Sequence, residues 1–165
     1  MADVRITGGC QCGAVRYALL AEPTNPHICH CRMCQKAFGS YFAPLAGVPI
    51  AALEITRGTI ATFRSSDPVE RGFCAACGTP LSFRDIDAPR ISIALGSLDE
   101  PEKIRPLKQS GIEAKLSWFG TLAELPGDKT TEEEDGPVTA EIARTNHQHP
   151  DHDTAGWPPQ GGTHG

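Results

Sequence analysis

The sequence predicts a mainly β protein, with one short helix in its first two-thirds and a polar extension at its C-terminal end. Two observations carry this prediction. Short runs of apolar, β-branched and aromatic residues alternate with turns that contain glycine or proline. Two of those turns contain a cysteine followed directly by glycine, Cys12-Gly13 and Cys77-Gly78, which is typical of a metal-binding knuckle because glycine relieves the steric cost of the turn.

Five runs have the composition of strands, at residues 13–20, 41–48, 59–63, 81–83 and 90–95. In the last run, Ile91, Ile93 and Leu95 alternate with small or polar residues, as expected for a strand with one buried face. We predict one short helix over residues 32–38, beginning inside a group of three cysteines. We also expect a helical turn at residues 98–104 and a core position for Trp118, the last one before the tail.

The composition changes near residue 122, and we predict a domain over residues 1–122 followed by an extension over residues 123–165. Residues 1–120 carry 13 Lys and Arg against 11 Asp and Glu, whereas residues 121–165 carry 2 against 9 and are rich in Pro and Gly. We expect residues 127–137 and 155–165 to be mobile, with two helical turns at residues 138–144. Four side chains of metal-ligand type also occur close together in the tail: His149, Asp151, His152 and Asp153. Short segments of this kind in a tail more often have no specific role.

The bulk properties exclude several classes of protein. Neither half of the chain carries the dense positive charge that nucleic-acid binding requires, so we expect no nucleic-acid partner. No apolar run approaches the length of a membrane span, so we expect no membrane partner. The first twenty residues lack a charged start followed by an apolar run, which predicts a cytoplasmic protein without a secretory signal.

Seven cysteines in a cytoplasmic chain favour metal binding over disulfides, and their odd number argues against a fully paired set. Structural zinc sites take four protein ligands, while catalytic sites take three and leave one position open. Seven therefore divides into four plus three, which suggests one closed site and one open site. The matched turns around Cys12 and Cys77 suggest that two cysteine pairs face one ion and close a loop of about sixty residues.

The remaining cysteines, Cys29, Cys31 and Cys34, lie within six positions. Three thiolates on zinc leave room for water or an exogenous thiol, and zinc would keep such a thiol in its nucleophilic thiolate form. This site suits the addition of a thiol to a carbonyl group or the cleavage of the resulting carbon–sulfur bond. The alternative is a closed structural site with a fourth ligand from His27 or His30, of which His27 is the better candidate.

Basic residues near these cysteines are candidates for holding an acidic ligand. Arg32 and Lys36 are four positions apart, so they share one face of the short helix and could contact carboxylates. A solvated surface is an equally good explanation of this pair. Arg71, which precedes the Cys74–Cys77 turn, is a weaker candidate for the same role.

Several segments of the chain together resemble the glutathione-dependent formaldehyde-activating enzyme family, which also includes centromere protein V. The segments are GGCQCGAVRY at residues 8–17, CHCRMC at residues 29–34, RGFCAACGTPL at residues 71–81 and GSLD at residues 96–99. All seven cysteines match in type, spacing and order. The resemblance spans about residues 5 to 120.

The resemblance implies a β-tent fold of coiled antiparallel sheets. It implies a structural zinc held by Cys10, Cys12, Cys74 and Cys77, and a second zinc held by Cys29, Cys31 and Cys34, which agrees with the four-plus-three division. It also implies a carbon–sulfur lyase that forms S-(hydroxymethyl)glutathione, with glutathione as co-substrate. The alternative function is a non-catalytic zinc-binding module for a protein partner.

Overall fold

A computed structural model describes residues 4–127, 129 and 137–156, and it is mainly β. The smaller of its two sheets has three antiparallel strands in the order β1-β2-β5. These strands are β1 (Ile6–Gly9), β2 (Arg16–Leu19) and β5 (Leu53–Arg57). Every residue of β2 is buried, because β2 is the central strand and one of its faces forms part of the core.

The larger sheet has seven strands in the order β10-β3-β4-β9-β8-β7-β6. All of its pairings are antiparallel except β10 with β3, which is parallel and departs from the expectation of purely antiparallel sheets. Its strands are β3 (Thr24–Cys29), β4 (Ala43–Pro49), β6 (Ala61–Ser66), β7 (Val69–Phe73), β8 (Pro80–Asp85), β9 (Arg90–Ala94) and β10 (Lys108–Ser110).

The prediction of a mainly β fold is confirmed, and each of the five predicted runs overlaps one strand: β2, β4, β6, β8 or β9. The sequence did not predict β1, β3, β5, β7 and β10. In β3, Pro26 and polar neighbours obscure the strand pattern, and Asn25 has a positive φ of 52°. Pairing with β4 and β10 on either side holds this segment extended, which a local pattern does not reveal.

The core lies between the two sheets and reaches both groups of cysteines. Its largest fully buried apolar side chains include Tyr17, Leu19, Leu81 and Ile93. Burying such a side chain stabilises the fold by roughly 1.5–3 kcal/mol. Cys10 and Cys74 belong to this main cluster, while Cys34 belongs to a smaller one with Ala43 and Leu45.

The helix α1 spans Arg32–Phe38, as predicted. Its N-cap is Cys31, whose sulfur accepts a hydrogen bond from the Cys34 N–H at 3.4 Å. It ends at Gly39, which adopts the left-handed conformation that favours glycine. The helical turn expected at residues 98–104 is a 3-10 helix over Pro101–Lys103.

Trp118 is 45% exposed, so its predicted core position is wrong. Its ring packs edge-on against Tyr41, with 4.9 Å between ring centroids, at the surface. The next residue, Phe119, is half-buried and packs against His30 and Phe42 instead.

The tail contains a second helix, α2 (Pro137–Thr145), where two helical turns were expected. The chain then returns to the small sheet, where the His149 N–H donates to the Gln11 carbonyl oxygen at 2.7 Å and Asp153 pairs with Arg16 at 2.9 Å. The expectation of mobility at residues 127–137 and 155–165 falls mostly outside the described residues. The division at residue 122 stays a prediction. Within the described ranges, no helix is long and apolar enough to cross a membrane.

Candidate metal centres

Four cysteines from two distant turns meet at one point. Cys10 and Cys12 lie between β1 and β2, and Cys74 and Cys77 lie between β7 and β8. Their sulfur atoms all lie within 4.8 Å of one another. We call this group the four-cysteine cluster.

The local backbone explains how each turn presents its sulfurs. Gly13 and Gly78 have φ values of 74° and 78°, in the region that only glycine enters readily, so both turns reverse sharply after their second cysteine. The Val15 N–H donates to the Cys10 sulfur at 3.2 Å. The Thr79 hydroxyl lies 3.1 Å from the Cys77 sulfur and can donate to its thiolate.

The donor set of this cluster fits a tetrahedral thiophilic metal ion. The Cys10–Cys12 and Cys12–Cys74 sulfur separations are 3.6 and 3.9 Å. Zinc–sulfur bonds of about 2.3 Å in a tetrahedron would place the sulfurs about 3.8 Å apart. All seven cysteines are free thiols rather than disulfides. The cluster can therefore hold a metal ion.

The thiols of this cluster differ in acidity. Burial raises the pKa of Cys10 to about 12, with the neighbouring thiol of Cys74 adding to the effect. Burial also acts to raise the pKa of Cys77, but hydrogen bonds from Thr79 and from the Cys12 turn outweigh it and lower that pKa to about 6. A bound cation would remove the cost of holding the buried sulfurs as thiolates.

The second group is the three-cysteine cluster of Cys29, Cys31 and Cys34, whose sulfurs also lie within 4.8 Å of one another. Cys29 ends β3, Cys31 caps α1 and Cys34 lies in the first turn of that helix. In the described part of the chain, no histidine, aspartate or glutamate joins these three sulfurs.

Both histidines proposed as a fourth ligand make other contacts. The His27 Nδ1 atom bonds to the Asn25 carbonyl oxygen at 2.8 Å, and His27 does not join the cluster. His30 is fully buried, and its Nε2 atom lies 3.0 Å from the Gln109 side-chain oxygen. The His30 ring packs edge-on against Phe119 at 4.6 Å, in an aromatic environment outside the cluster.

A loop that the sequence analysis did not identify supports the three-cysteine cluster. Gly111 has a φ of 62°, and a Cβ atom there would lie 2.6 Å from the Cys31 nitrogen, so only glycine fits. The Gln35 amide donates to the carbonyl oxygens of His30 and Ala114, at 2.8 and 3.0 Å. The strand β10 that leads into this loop carries Gln109, whose side-chain oxygen lies 3.0 Å from the His30 Nε2 atom, so His30 between two metal-ligand candidates was a signal for it.

Arg71 also lies at the three-cysteine cluster, although its sequence position placed it beside the other pair. Its side chain is buried, and its Nη2 atom lies 3.5 Å from the Cys34 sulfur. The guanidinium carbon lies 5.1 Å from the centre of the Phe83 ring. Burial raises the pKa of Cys34 to about 12, and the hydrogen bond from Arg71 opposes that rise.

Arg32 and Lys36 share one helix face, as their spacing predicted, and they line an open cleft of about 600 Å³ together with Tyr41 and Leu116. The Arg32 Nη1 atom donates to the Gln35 side-chain oxygen at 3.1 Å. The described residues lining this cleft include none of the three cysteines. Contact of Arg32 or Lys36 with ligand carboxylates stays a prediction.

The histidines and aspartates of the tail form no metal-ligand group with one another; within the described ranges, only the two cysteine clusters do so. His149 is buried instead, and Asp153 joins Asp99 in pairing with the buried Arg16. This ion-pair network gives part of the acidic tail a structural contact that its composition did not indicate.

The fold and the two cysteine clusters make this a mainly β protein with two candidate metal centres. The family model described as glutathione-dependent formaldehyde-activating enzyme matches residues 5–112. That match covers more than half of the chain, and the chain belongs to this family. An Emericella nidulans protein that bears the family's name is 32% identical over 131 residues, which are 72% of this chain and 66% of that relative.

The fold also resembles a crystal structure of a Rhodobacter sphaeroides protein. The TM-score is 0.52 with 21% identity, and the match covers 63% of this chain and 99% of the other. At that identity the likeness concerns the fold alone.

Proposed function

We propose that this protein is a zinc-dependent enzyme of the carbon–sulfur lyase type, acting on a thiol–aldehyde adduct such as that of glutathione and formaldehyde. Family membership supports a role involving these two compounds. The observation that carries the proposal is the three-cysteine cluster, which offers three sulfurs and, in the described chain, no fourth protein ligand. An open position of this kind distinguishes catalytic from structural zinc sites.

In this proposal, Cys10, Cys12, Cys74 and Cys77 hold a structural zinc, and Cys29, Cys31 and Cys34 hold a second one. The sulfur separations in the first cluster and the all-thiolate donor sets of both support zinc, which prefers sulfur and nitrogen ligands. When bound at the second cluster, zinc supplies Lewis acidity that keeps an added thiol deprotonated at neutral pH.

The chemistry is an addition and its reverse. The thiolate sulfur bonds to the aldehyde carbon, the carbonyl π electrons move to oxygen, and that oxygen takes up the proton that the thiol released. Cleavage of the adduct breaks the same carbon–sulfur bond and returns the proton to sulfur. The chain holds its three sulfurs rigidly through the Cys31 cap and the Gly111 contact, which preorganises the site. The side chains of Arg32 and Lys36 contact the carboxylates of an acidic thiol such as glutathione.

A cytoplasmic location is part of this proposal, because both clusters and the thiol substrate require reducing conditions. So is the assignment of residues 1–122 as the zinc-binding unit, since every cysteine lies in that range.

The test combines thiol binding with exchange kinetics. Isothermal titration with glutathione is compared between the native protein and Cys31→Ser, and exchange between formaldehyde and its glutathione adduct is followed by NMR. We expect the native protein to bind glutathione and accelerate exchange, and Cys31→Ser to fold but do neither. Lys36→Met, on the same helix, is the comparison variant. It removes a proposed carboxylate contact but no metal ligand, so it should weaken glutathione binding without removing zinc.

Equal glutathione binding by native protein and folded Cys31→Ser would overturn the activated-thiol mechanism. The function as a zinc-binding module for a protein partner would then take its place.

A further inference from the structure

We propose that Arg71 is a positioning residue that offsets the negative charge of the three-cysteine cluster and so makes its open position selective for an anionic thiolate over a neutral ligand. This inference rests on the proposed function and names the charge state of the ligand that the site takes. Three thiolates and one zinc ion carry one net negative charge, and an added thiolate makes it two.

A second negative charge is costly at this site because the cluster is partly buried. Cys34 is 3% exposed, and Cys29 and Cys31 are half-buried. Burial weakens solvent screening, so a nearby cation has a larger effect here than on the surface.

Arg71 is the cation that the fold places there. Its side chain is buried, with 8% exposure, and its Nη2 atom lies 3.5 Å from the Cys34 sulfur. Its Nη1 atom is buried without a hydrogen-bond partner among the described residues. No carboxylate of the described chain pairs with Arg71, in contrast to the buried Arg16, which pairs with Asp99 and Asp153. The positive charge of Arg71 therefore remains available to the sulfurs.

The four-cysteine cluster shows why the open site needs this help and the closed one does not. Its sulfurs receive hydrogen bonds from neutral groups, the Val15 N–H and the Thr79 hydroxyl. All four of its thiolates belong to the chain, so none of them loses translational freedom by binding from solution. A free thiolate loses that freedom and its hydration shell on binding, so the open site must supply an attraction that compensates for both losses.

The experiment separates charge selection from metal retention and from carboxylate contacts. The zinc-loaded protein is titrated with 2-mercaptoethanol, a thiol without carboxylates, and separately with imidazole, a neutral ligand, at several pH values. The variants are Arg71→Met, Arg71→Lys and the control Arg64→Met, an exposed arginine on the neighbouring strand β6. Zinc content is measured for each.

We expect Arg71→Met to keep two zinc ions, to bind 2-mercaptoethanol about tenfold more weakly and to bind imidazole as well as the native protein. The pH at which thiol binding is half complete should rise in this variant, since the thiolate is stabilised less. Arg71→Lys should retain part of the thiol affinity, and Arg64→Met should match the native protein.

Three results would overturn the inference. Unchanged 2-mercaptoethanol binding by zinc-loaded Arg71→Met would show that charge selection lies elsewhere, while the proposed function survives. Equal losses of thiol and imidazole binding, or loss of the second zinc in both Arg71 variants, would assign Arg71 to retention of the site rather than selection. If the native protein binds no thiol, the proposed function itself fails.

Discussion

The two cysteine clusters present the same side chain in different structural settings. The four-cysteine cluster joins turns that are distant in sequence, with 62 positions between Cys12 and Cys74, and it lies in the main core. The three-cysteine cluster comes from one strand end and one helix start, within six positions, and lies beside a smaller core. A metal ion at the first cluster would therefore join distant parts of the chain, whereas an ion at the second would join only neighbouring residues, which under the proposed function bind a ligand.

The energetic contrast follows from chain entropy. Closing a long loop costs a few kcal/mol, and each doubling of its length adds only about 0.6 kcal/mol. Binding of a structural zinc supplies about 10 kcal/mol or more. The zinc proposed at the four-cysteine cluster would thus offset the closure of a long loop, while at the three-cysteine cluster the backbone is already fixed by α1 and by pairing of β3.

The largest expected effect is on folding. Cys74→Ser should lower the free energy of unfolding by about 5 kcal/mol or more, because it would remove a ligand from the zinc ion proposed to close the long loop. Cys31→Ser, at the local cluster, should leave a folded protein. Thermal melting and zinc content of both variants measure the difference. A folded Cys74→Ser with the native melting temperature would remove the basis of the comparison.

The next effect is on metal lability. Mild chelation should withdraw one zinc equivalent before the other, since the three-cysteine cluster has one thiolate fewer. Circular dichroism should show the protein still folded after the first equivalent has left, and that equivalent should carry the activity. Simultaneous loss of both ions, or unfolding with the first, would mean that the two clusters do not differ in this way.

A smaller effect concerns the tail, which packs on the four-cysteine side. Truncation after Asn146 removes the bonds of His149 to Gln11 and of Thr154 to Arg57, and should destabilise the protein by about 1–2 kcal/mol. Truncation after Thr154 retains those bonds and should have no effect on stability or zinc content. Denaturant titrations of the two truncations provide the comparison, and thiol binding should be the same in both. Equal stability would mean that tail docking contributes nothing.

The smallest effect is a pH dependence of that docking. Burial lowers the pKa of His149 below its ordinary value of 6.5, and the charges of Arg16 and Arg57 add to this. The docked state therefore excludes a proton that the free tail accepts, so the contribution of His149 is complete above about pH 6.5 and declines as the pH falls below it. Hydrogen exchange at the His149 amide between pH 5 and 7.5 should show the loss. His149→Gln, which does not titrate, should give a flat profile after correction for intrinsic exchange.

Both cysteine groups and α1 were predictable from the sequence because their chemistry is local or set by spacing. A cysteine followed by glycine defines a turn, and three cysteines within six positions require a compact backbone. The strands with alternating apolar residues, such as β9, were predictable for the same reason. The ligand counts of closed and open zinc sites suggested the division into four and three, and a family pattern that matches all seven cysteines agreed with it.

Only the tertiary structure determined which distant side chains meet. Arg71 reaches Cys34 across 37 positions, and Arg16 reaches Asp153 across 137, because sheet pairing and tail docking bring them together. The short strands β3, β7 and β10 likewise depend on their partners, since polar residues and proline mask their local pattern. Trp118 lies at the surface because Phe119 packs against His30 instead, a choice that hydrophobicity alone does not resolve. The sequence by itself thus determined which cysteines can act as metal ligands, and folding decided which charges and aromatic rings surround those cysteines.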